Sequence, residues 1–160
     1  MAYLSLVQGA RGLLFYSYQA EGWSLPAHPE LWQAVCELAW EIRARSGIFS
    51  QRVEWWPAHT EYSGKPEAMY NELFEAAIVL GLFRADNPSA PAGFSYYLVA
   101  VNSTGHKVDF SFKLPFRDVR ELDTFCGKNE FNVADGWVGK SYQPYEVCIF
   151  GPINGPLSDE

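Results

Sequence analysis

Aromatic and acidic side chains lie close together in one short stretch near the N-terminus: Tyr16, Tyr18, Glu21 and Trp23. Flat aromatic rings can stack on the face of a sugar ring, and a carboxylate can accept hydrogen bonds from hydroxyl groups. If residues 16–18 are in a strand, both tyrosines point to the same side. The simpler alternatives are a solvated loop carboxylate for Glu21, a loop anchor for Trp23, and core packing for at least one tyrosine.

Other kinds of chemistry find little support in the sequence. The histidines His28, His59 and His106 are far apart, and none has the spacing of a metal site such as HxH or HExxH. His28 precedes a proline and His106 falls in a turn, so we expect surface roles for both. Ser17 lacks the G-x-S-x-G turn of serine hydrolases, and no glycine-rich phosphate loop is present. We therefore expect neither a metal nor a cofactor.

The cysteines are Cys36, Cys126 and Cys148, and an odd number leaves at least one thiol free. Cys36 lies in a predicted helix and Cys148 in an apolar run, so both are expected to be small core residues. A disulfide between Cys126 and Cys148 is an open alternative.

The composition is that of a globular protein, with 48% hydrophobic and 19% charged residues in 160. A formal net charge of −7 argues against nucleic acid as a partner. No stretch is long and apolar enough for a membrane span, and the N-terminus lacks the pattern of a signal peptide. The compartment stays undetermined. The aromatic content of 16% suits either a β-sandwich core or a carbohydrate site.

The apolar run at 12–18 is predicted to be a strand buried on both faces, as in parallel sheets. A helix ended by Gly9 precedes it, at residues 2–8. A helix at 30–45 follows, stopped at 46–47. Its apolar face comprises Leu31, Val35, Leu38 and Ile42.

The remainder reads as antiparallel β structure. The cleanest alternation is at 107–114, where Val108, Phe110 and Phe112 share one side and polar residues the other, as in a half-buried strand. Residues 61–66 are expected to form a turn. Further strands are predicted at 51–56, 77–84, 94–101, 119–122, 130–134 and 145–150. Many short strands separated by turns indicate a β-sandwich.

The order of these motifs resembles that of the (β/α)8-barrel glycoside hydrolases. The resemblance rests on Gln8-Gly9-Ala10-Arg11-Gly12, the run Leu13-Leu14-Phe15-Tyr16-Ser17-Tyr18, Trp23 and the helix after it. In that family, a similar segment forms the last βα unit. A C-terminal β-sandwich often follows, with strands like Tyr97-Leu98-Val99-Ala100-Val101-Asn102 and Pro144-Tyr145-Glu146-Val147.

The resemblance implies an α+β chain composed of a terminal βα unit of a (β/α)8 barrel and an antiparallel β-sandwich. Residues 1–48 would be the incomplete barrel segment, 49–152 the sandwich, and 153–160 a loose tail. Tyr16, Tyr18, Glu21 and Trp23 would line a carbohydrate site. The family's catalytic carboxylates usually follow the fourth and seventh barrel strands, so we assign no catalytic residue here and expect the chain alone to be inactive.

Two rival interpretations stay open. The first is a self-standing β-sandwich module that binds carbohydrate or a protein partner, with Trp55-Trp56 as an exposed platform. The second is self-association, in which the strand at 12–18 pairs with its copy in another chain.

Overall fold

The computed structural model describes residues 2–14, 18–20, 22–54, 56, 58–63, 76–117, 119–124, 127–154 and 157. The helices are α1 (Ala2–Val7), α2 (Pro29–Ala44) and α3 (Ser46–Phe49), and a 3-10 turn covers Leu25–Ala27. The strands are β1 (Gln19–Ala20), β2 (Trp23–Ser24), β3 (Arg52–Glu54), β4 (Thr60–Ser63), β5 (Ile78–Asp86), β6 (Phe94–Asn102), β7 (Val108–Lys113), β8 (Glu121–Thr124), β9 (Gly127–Asn132), β10 (Trp137–Tyr142) and β11 (Val147–Ile153).

The described strands form three open sheets in which every pairing is antiparallel. The largest has six strands in the order β3-β5-β6-β11-β8-β9. A second has three strands in the order β10-β7-β4, and the third is the small hairpin β1-β2. The chain is therefore α+β with mainly antiparallel sheets, which confirms the predicted class at that level.

One hydrophobic core lies between the six-stranded and the three-stranded sheet. The rings of Phe112 in β7 and Phe150 in β11 are 5.9 Å apart, so the two sheets are in direct contact. The core continues through Leu82, Leu98 and Phe110, each at most 1% exposed. Every residue of this core comes from outside the segment 1–48.

A second core covers the opposite face of the six-stranded sheet. The ring of Phe49 in α3 lies 5.6 Å from that of Tyr3 in α1 and 5.5 Å from that of Phe83 in β5. Val99 and Ile149 complete this face. Because both faces of the large sheet are covered, β5 and β6 are apolar along nearly their whole length, whereas β7 alternates.

The predicted strand at 12–18 is not formed at Gly12–Leu14, which have no regular structure, and Tyr18 also lies outside any strand. Leu14 is 94% exposed, so burial on both faces is wrong for this residue. Residues 15–17 lie outside the described part of the chain. The physical reason is that no strand among the described residues pairs with this run, because an apolar run forms a buried strand only where another strand can pair with it.

Helix α2 is confirmed within one residue at each end, but it buries its predicted apolar face only in part. Leu38 and Ile42 pack against the second core, whereas Leu31 is 44% exposed. No residue of α2 is fully buried. The predicted stop at 46–47 is also wrong, since α3 begins there and carries two buried residues, Ile48 and Phe49, onto the large sheet.

Two further predictions differ from the structure, and one strand was not predicted. The expected turn at 61–66 falls partly on β4, with residues 64–66 outside the described part, and β10 was not predicted. The tail expected from 153 is not loose at its start, because Ile153 is 4% exposed. Leu157 pairs with Phe116 in an isolated bridge and packs against the first core.

Within the described residues, no helix is long and apolar enough to cross a membrane.

Candidate functional site

The hairpin β1-β2 brings together two of the four predicted site residues. Its register pairs Gln19 with Ser24 and Ala20 with Trp23. The Leu25 amide donates a hydrogen bond of 2.9 Å to the Tyr18 carbonyl, which closes the hairpin next to Trp23. Gly22, at the turn, has a φ of 73°, a left-handed conformation that favours glycine. Tyr18 and Trp23 therefore flank one short ribbon.

Trp23 is held by a stacked histidine. The Trp23 and His28 rings are 5.6 Å apart between centroids and inclined by only 16°. The 3-10 turn Leu25–Ala27 produces this contact, since it folds the chain back, and the His28 amide donates to the Leu25 carbonyl at 2.9 Å. Trp23 stays half-buried, so part of its indole is accessible.

A carboxylate lies next to this stacked pair. Nδ1 of His28 is 3.5 Å from Oε1 of Glu30, in the first turn of α2. Tyr18 is 64% exposed. The site thus offers the partly accessible Trp23 ring beside an imidazole and a carboxylate, with the exposed Tyr18 at the start of the hairpin. Groups of these kinds can stack on a sugar and bond to its hydroxyls.

The predicted residues Tyr16 and Glu21 lie outside the described residues, so their part in this site stays a prediction. His28 and Glu30 were missed. The sequence signal was weak, because a separation of five residues between Trp23 and His28 brings rings together only across a tight turn such as Leu25–Ala27.

A separate cavity of about 310 Å³ lies between α1, α2 and α3, with Leu13, Ile42 and Phe49 among its walls. This volume is at the lower end of ligand pockets. Arg11 also lines it, but its guanidinium donates to the carbonyls of Phe49, at 3.3 Å, and Gln51. The arginine therefore fastens the segment after α1 to the chain that follows α3.

A polar cluster at one end of β10 and β11 plays a structural role, because its charged groups bond to one another. Lys140 Nζ lies 2.5 Å from Glu146 Oε1, and the Gln143 amide donates to Glu146 Oε2 at 2.7 Å. Burial raises the pKa of Cys148 to about 12, so its thiol stays protonated at neutral pH and is a poor nucleophile. Burial likewise raises the pKa of Tyr142.

The two cysteines that the structure describes, Cys36 and Cys148, are free thiols. Cys148 is 7% exposed, which confirms it as a small core residue, whereas Cys36 is only half-buried. Cys126 lies outside the described residues. In the described part of the chain, no three His, Cys, Asp or Glu side chains are grouped as metal ligands would be.

Comparisons with protein-family models, with curated proteins and with solved structures found no match for this chain.

Proposed function

We propose that the chain is the C-terminal part of a glycoside-hydrolase-like protein and that the hairpin β1-β2 binds carbohydrate. The observation that carries the proposal is the geometry around Trp23. Its indole is stacked on His28, and an exposed Tyr18 lies on the same hairpin. A fixed aromatic ring beside a carboxylate is suited to a sugar, since stacking costs little entropy when the ring is already held.

The two antiparallel sheets that share the first core are proposed to be the accessory β-sandwich of that protein. In the same proposal, residues 1–48 contribute the last βα unit of a (β/α)8 barrel. The exposure of Leu14 supports an absent neighbouring strand. Leu14 is 94% exposed, and burying a large aliphatic side chain stabilises a protein. Pairing with an adjacent barrel strand would bury this residue.

The chain alone is expected to be catalytically silent, because the family's acid/base pair belongs to earlier barrel strands. The test is an assay with a panel of 4-nitrophenyl glycosides at protein concentrations in the micromolar range. No release of nitrophenol above the heat-denatured control is expected. Turnover that disappears on denaturation would contradict this part of the proposal.

Carbohydrate binding is tested by native electrophoresis in gels that contain soluble xylan, galactomannan, mixed-linkage β-glucan or amylopectin. At least one polysaccharide is expected to retard the chain, and Trp23→Ala is expected to abolish the retardation. Trp40→Ala is the matched control, since Trp40 is 67% exposed on α2 and outside the hairpin. The proposed site would be contradicted if Trp23→Ala and Trp40→Ala were retarded equally. It would also be contradicted if no polysaccharide retarded the parent chain.

A self-standing sandwich module is the second candidate. The specific observation in its favour is that the first core draws no residue from the segment 1–48. The Trp55-Trp56 platform predicted for it is not supported at Trp56, whose ring packs edge-on against Phe112 with centroids 6.2 Å apart. Trp55 lies outside the described residues. If this second candidate is correct, retardation by a polysaccharide would persist in Trp23→Ala. Binding at the hairpin β1-β2 instead predicts that Trp23→Ala abolishes it.

A further inference from the structure

The cavity between α1, α2 and α3 has an apolar floor and a charged mouth. Leu6 and Phe49 line it and are each 4% exposed, so they lie at the floor. Arg11 and Arg43 also line it and are exposed, so they lie at the mouth. An apolar cavity of about 150 Å³ holds one benzene ring, so the volume of about 310 Å³ has room for about a dozen non-hydrogen atoms. The cavity is therefore of a size that suits a small amphipathic molecule.

Helix α2 presents one face to this cavity. Ala39, Ile42 and Arg43 line it, and separations of three and four residues place their side chains on the same side of a helix. Ala39 contributes only a methyl group to the wall. A larger side chain at this position would therefore project into the cavity.

The two arginines keep their positive charges at the mouth. Nη1 of Arg11 donates to the backbone carbonyls of Phe49 and Gln51, which hold the guanidinium in place without neutralising it. A guanidinium has five N–H donors, and Nη1 carries only two of them. The Arg43 guanidinium lies over the Trp40 ring, 5.3 Å from its centroid, a contact that also leaves its charge uncompensated.

No carboxylate balances these charges among the wall residues that the structure describes. Glu41, two residues before Arg43, is engaged elsewhere, because its Oε1 lies 3.1 Å from Nη1 of Arg45. A pair of cations at one cavity is notable in a chain whose formal net charge is −7. The planar guanidinium fork is the group that matches a carboxylate best.

We propose that this cavity binds a small carboxylic acid with an apolar body, of the size of a fatty acid with about eight to ten carbons. The apolar body lies against Leu6, Leu13 and Phe49, and the carboxylate accepts hydrogen bonds from Arg43 and from Arg11. Charge complementarity selects the carboxylate, and the apolar floor selects the body. The inference does not rest on the proposed carbohydrate site, because no residue of the hairpin β1-β2 lines the cavity.

The first test is a titration of the full chain with octanoate, followed in ¹H–¹³C spectra of the isoleucine δ1 methyl groups. The Ile42 signal, assigned by its loss in Ile42→Val, is expected to shift saturably with a Kd below about 1 mM. The signal of Ile153, which lies in the first core, should stay in place. The matched neutral ligand is octanol, which has the same chain length and should bind at least about tenfold more weakly.

The second test separates the charge from the apolar space by substitution. Arg43→Gln should weaken octanoate binding about tenfold and leave octanol binding unchanged. Arg52→Gln, at an exposed arginine of β3 outside the cavity, is the control and should alter neither. Ala39→Trp fills the cavity but keeps both arginines, and it should abolish binding. Its control is Ala34→Trp, at an exposed position of α2 that does not line the cavity.

Three results would overturn the proposal. The first is the absence of a saturable Ile42 shift with octanoate, and the second is equal affinity of the parent chain for octanoate and octanol. The third is octanoate binding that is the same in Arg43→Gln as in Arg52→Gln, or the same in Ala39→Trp as in Ala34→Trp. Far-UV circular dichroism verifies that each variant is folded.

Discussion

Glu146 joins strands β10 and β11 through its two carboxylate oxygens. One oxygen lies 2.5 Å from Lys140 Nζ and 3.4 Å from the Cys148 sulfur, and the other accepts from the Gln143 amide at 2.7 Å. Partial burial by itself raises the pKa of Glu146. The hydrogen bonds from Lys140 and Gln143 outweigh it, so the net pKa is below its ordinary 4.5. The carboxylate is thus more acidic in the folded chain than in the unfolded one.

The first prediction concerns the removal of this charge. Glu146→Gln is expected to lower the free energy of unfolding by about 2 kcal/mol at pH 7, the range for hydrogen bonds to charged groups. Because the pKa is lower in the folded chain, the stabilisation is fully present above pH 4.5 and is lost as the pH falls through the folded pKa.

The measurement is urea unfolding of the parent chain and of Glu146→Gln at pH 7 and at several lower values down to about pH 3. The difference between them should shrink as the pH falls. Glu61→Gln, at an exposed position of β4, is the control. It should lower the free energy of unfolding by less than about 0.5 kcal/mol. A difference between parent and Glu146→Gln that is independent of pH would contradict the assigned ion pair.

Single residues also mark the limit of prediction for the candidate site. The sequence nominates Tyr18 and Trp23 as site residues, because both are aromatic residues in a loop-rich stretch before an amphipathic helix, and their role in binding stays a prediction. His28 was assigned a surface role, since only the folded 3-10 turn Leu25–Ala27 brings its ring within 5.6 Å of Trp23. Contacts made across an irregular turn carry no periodic signal.

Helix α1 is positioned on the large sheet by the absence of a side chain at Gly81 in β5. A Cβ built at Gly81 would lie 2.7 Å from Val7 Cγ1, closer than van der Waals contact allows. Because Val7 is β-branched, on a helix and 4% exposed, it cannot move aside without a shift of α1. The close approach of this helix and strand therefore depends on the glycine.

The second prediction is that Gly81→Ala lowers the free energy of unfolding by about 1–3 kcal/mol through overpacking. Val7→Ala/Gly81→Ala should be less destabilised than the sum of the two single variants, since the smaller side chain makes room. Urea unfolding of the three variants measures this coupling. If Gly81→Ala left the free energy of unfolding unchanged, α1 would not pack on β5 as described.

Elements with a strong hydrophobic pattern were predictable, and polar ones were not. The alternation of β7 gave the strand correctly, because one of its faces lies on the first core. Strands β4 and β10 are short or polar, and their pairing with β7 is settled only by register in the folded sheet. The apolar run at 12–18 gave the opposite error. Its hydrophobicity predicts burial, but none of the strands that the structure describes pairs with Leu14.

On the scale of the whole molecule, exposed apolar side chains are concentrated in the N-terminal part. The large exposed hydrophobic residues among those described are Leu14, Tyr18, Leu31, Trp32, Trp40 and Tyr145. All but Tyr145 precede β3, whereas the two sheets bury their apolar residues in a shared core. This asymmetry is what a sandwich module joined to an incomplete second unit would give, and it leaves the hairpin accessible to a ligand.

The most direct test of the proposed function is a ¹⁵N correlation spectrum of the tryptophan indole groups, recorded during titration with oligosaccharides. The Trp23 signal is assigned by its loss in Trp23→Ala. We expect that at least one oligosaccharide, cut from a polysaccharide that retards the chain, shifts the Trp23 signal saturably and leaves the Trp40 signal in place. Sugar binding that leaves the Trp23 signal unmoved would contradict the proposed site at the hairpin, and so would the absence of any shift across the panel.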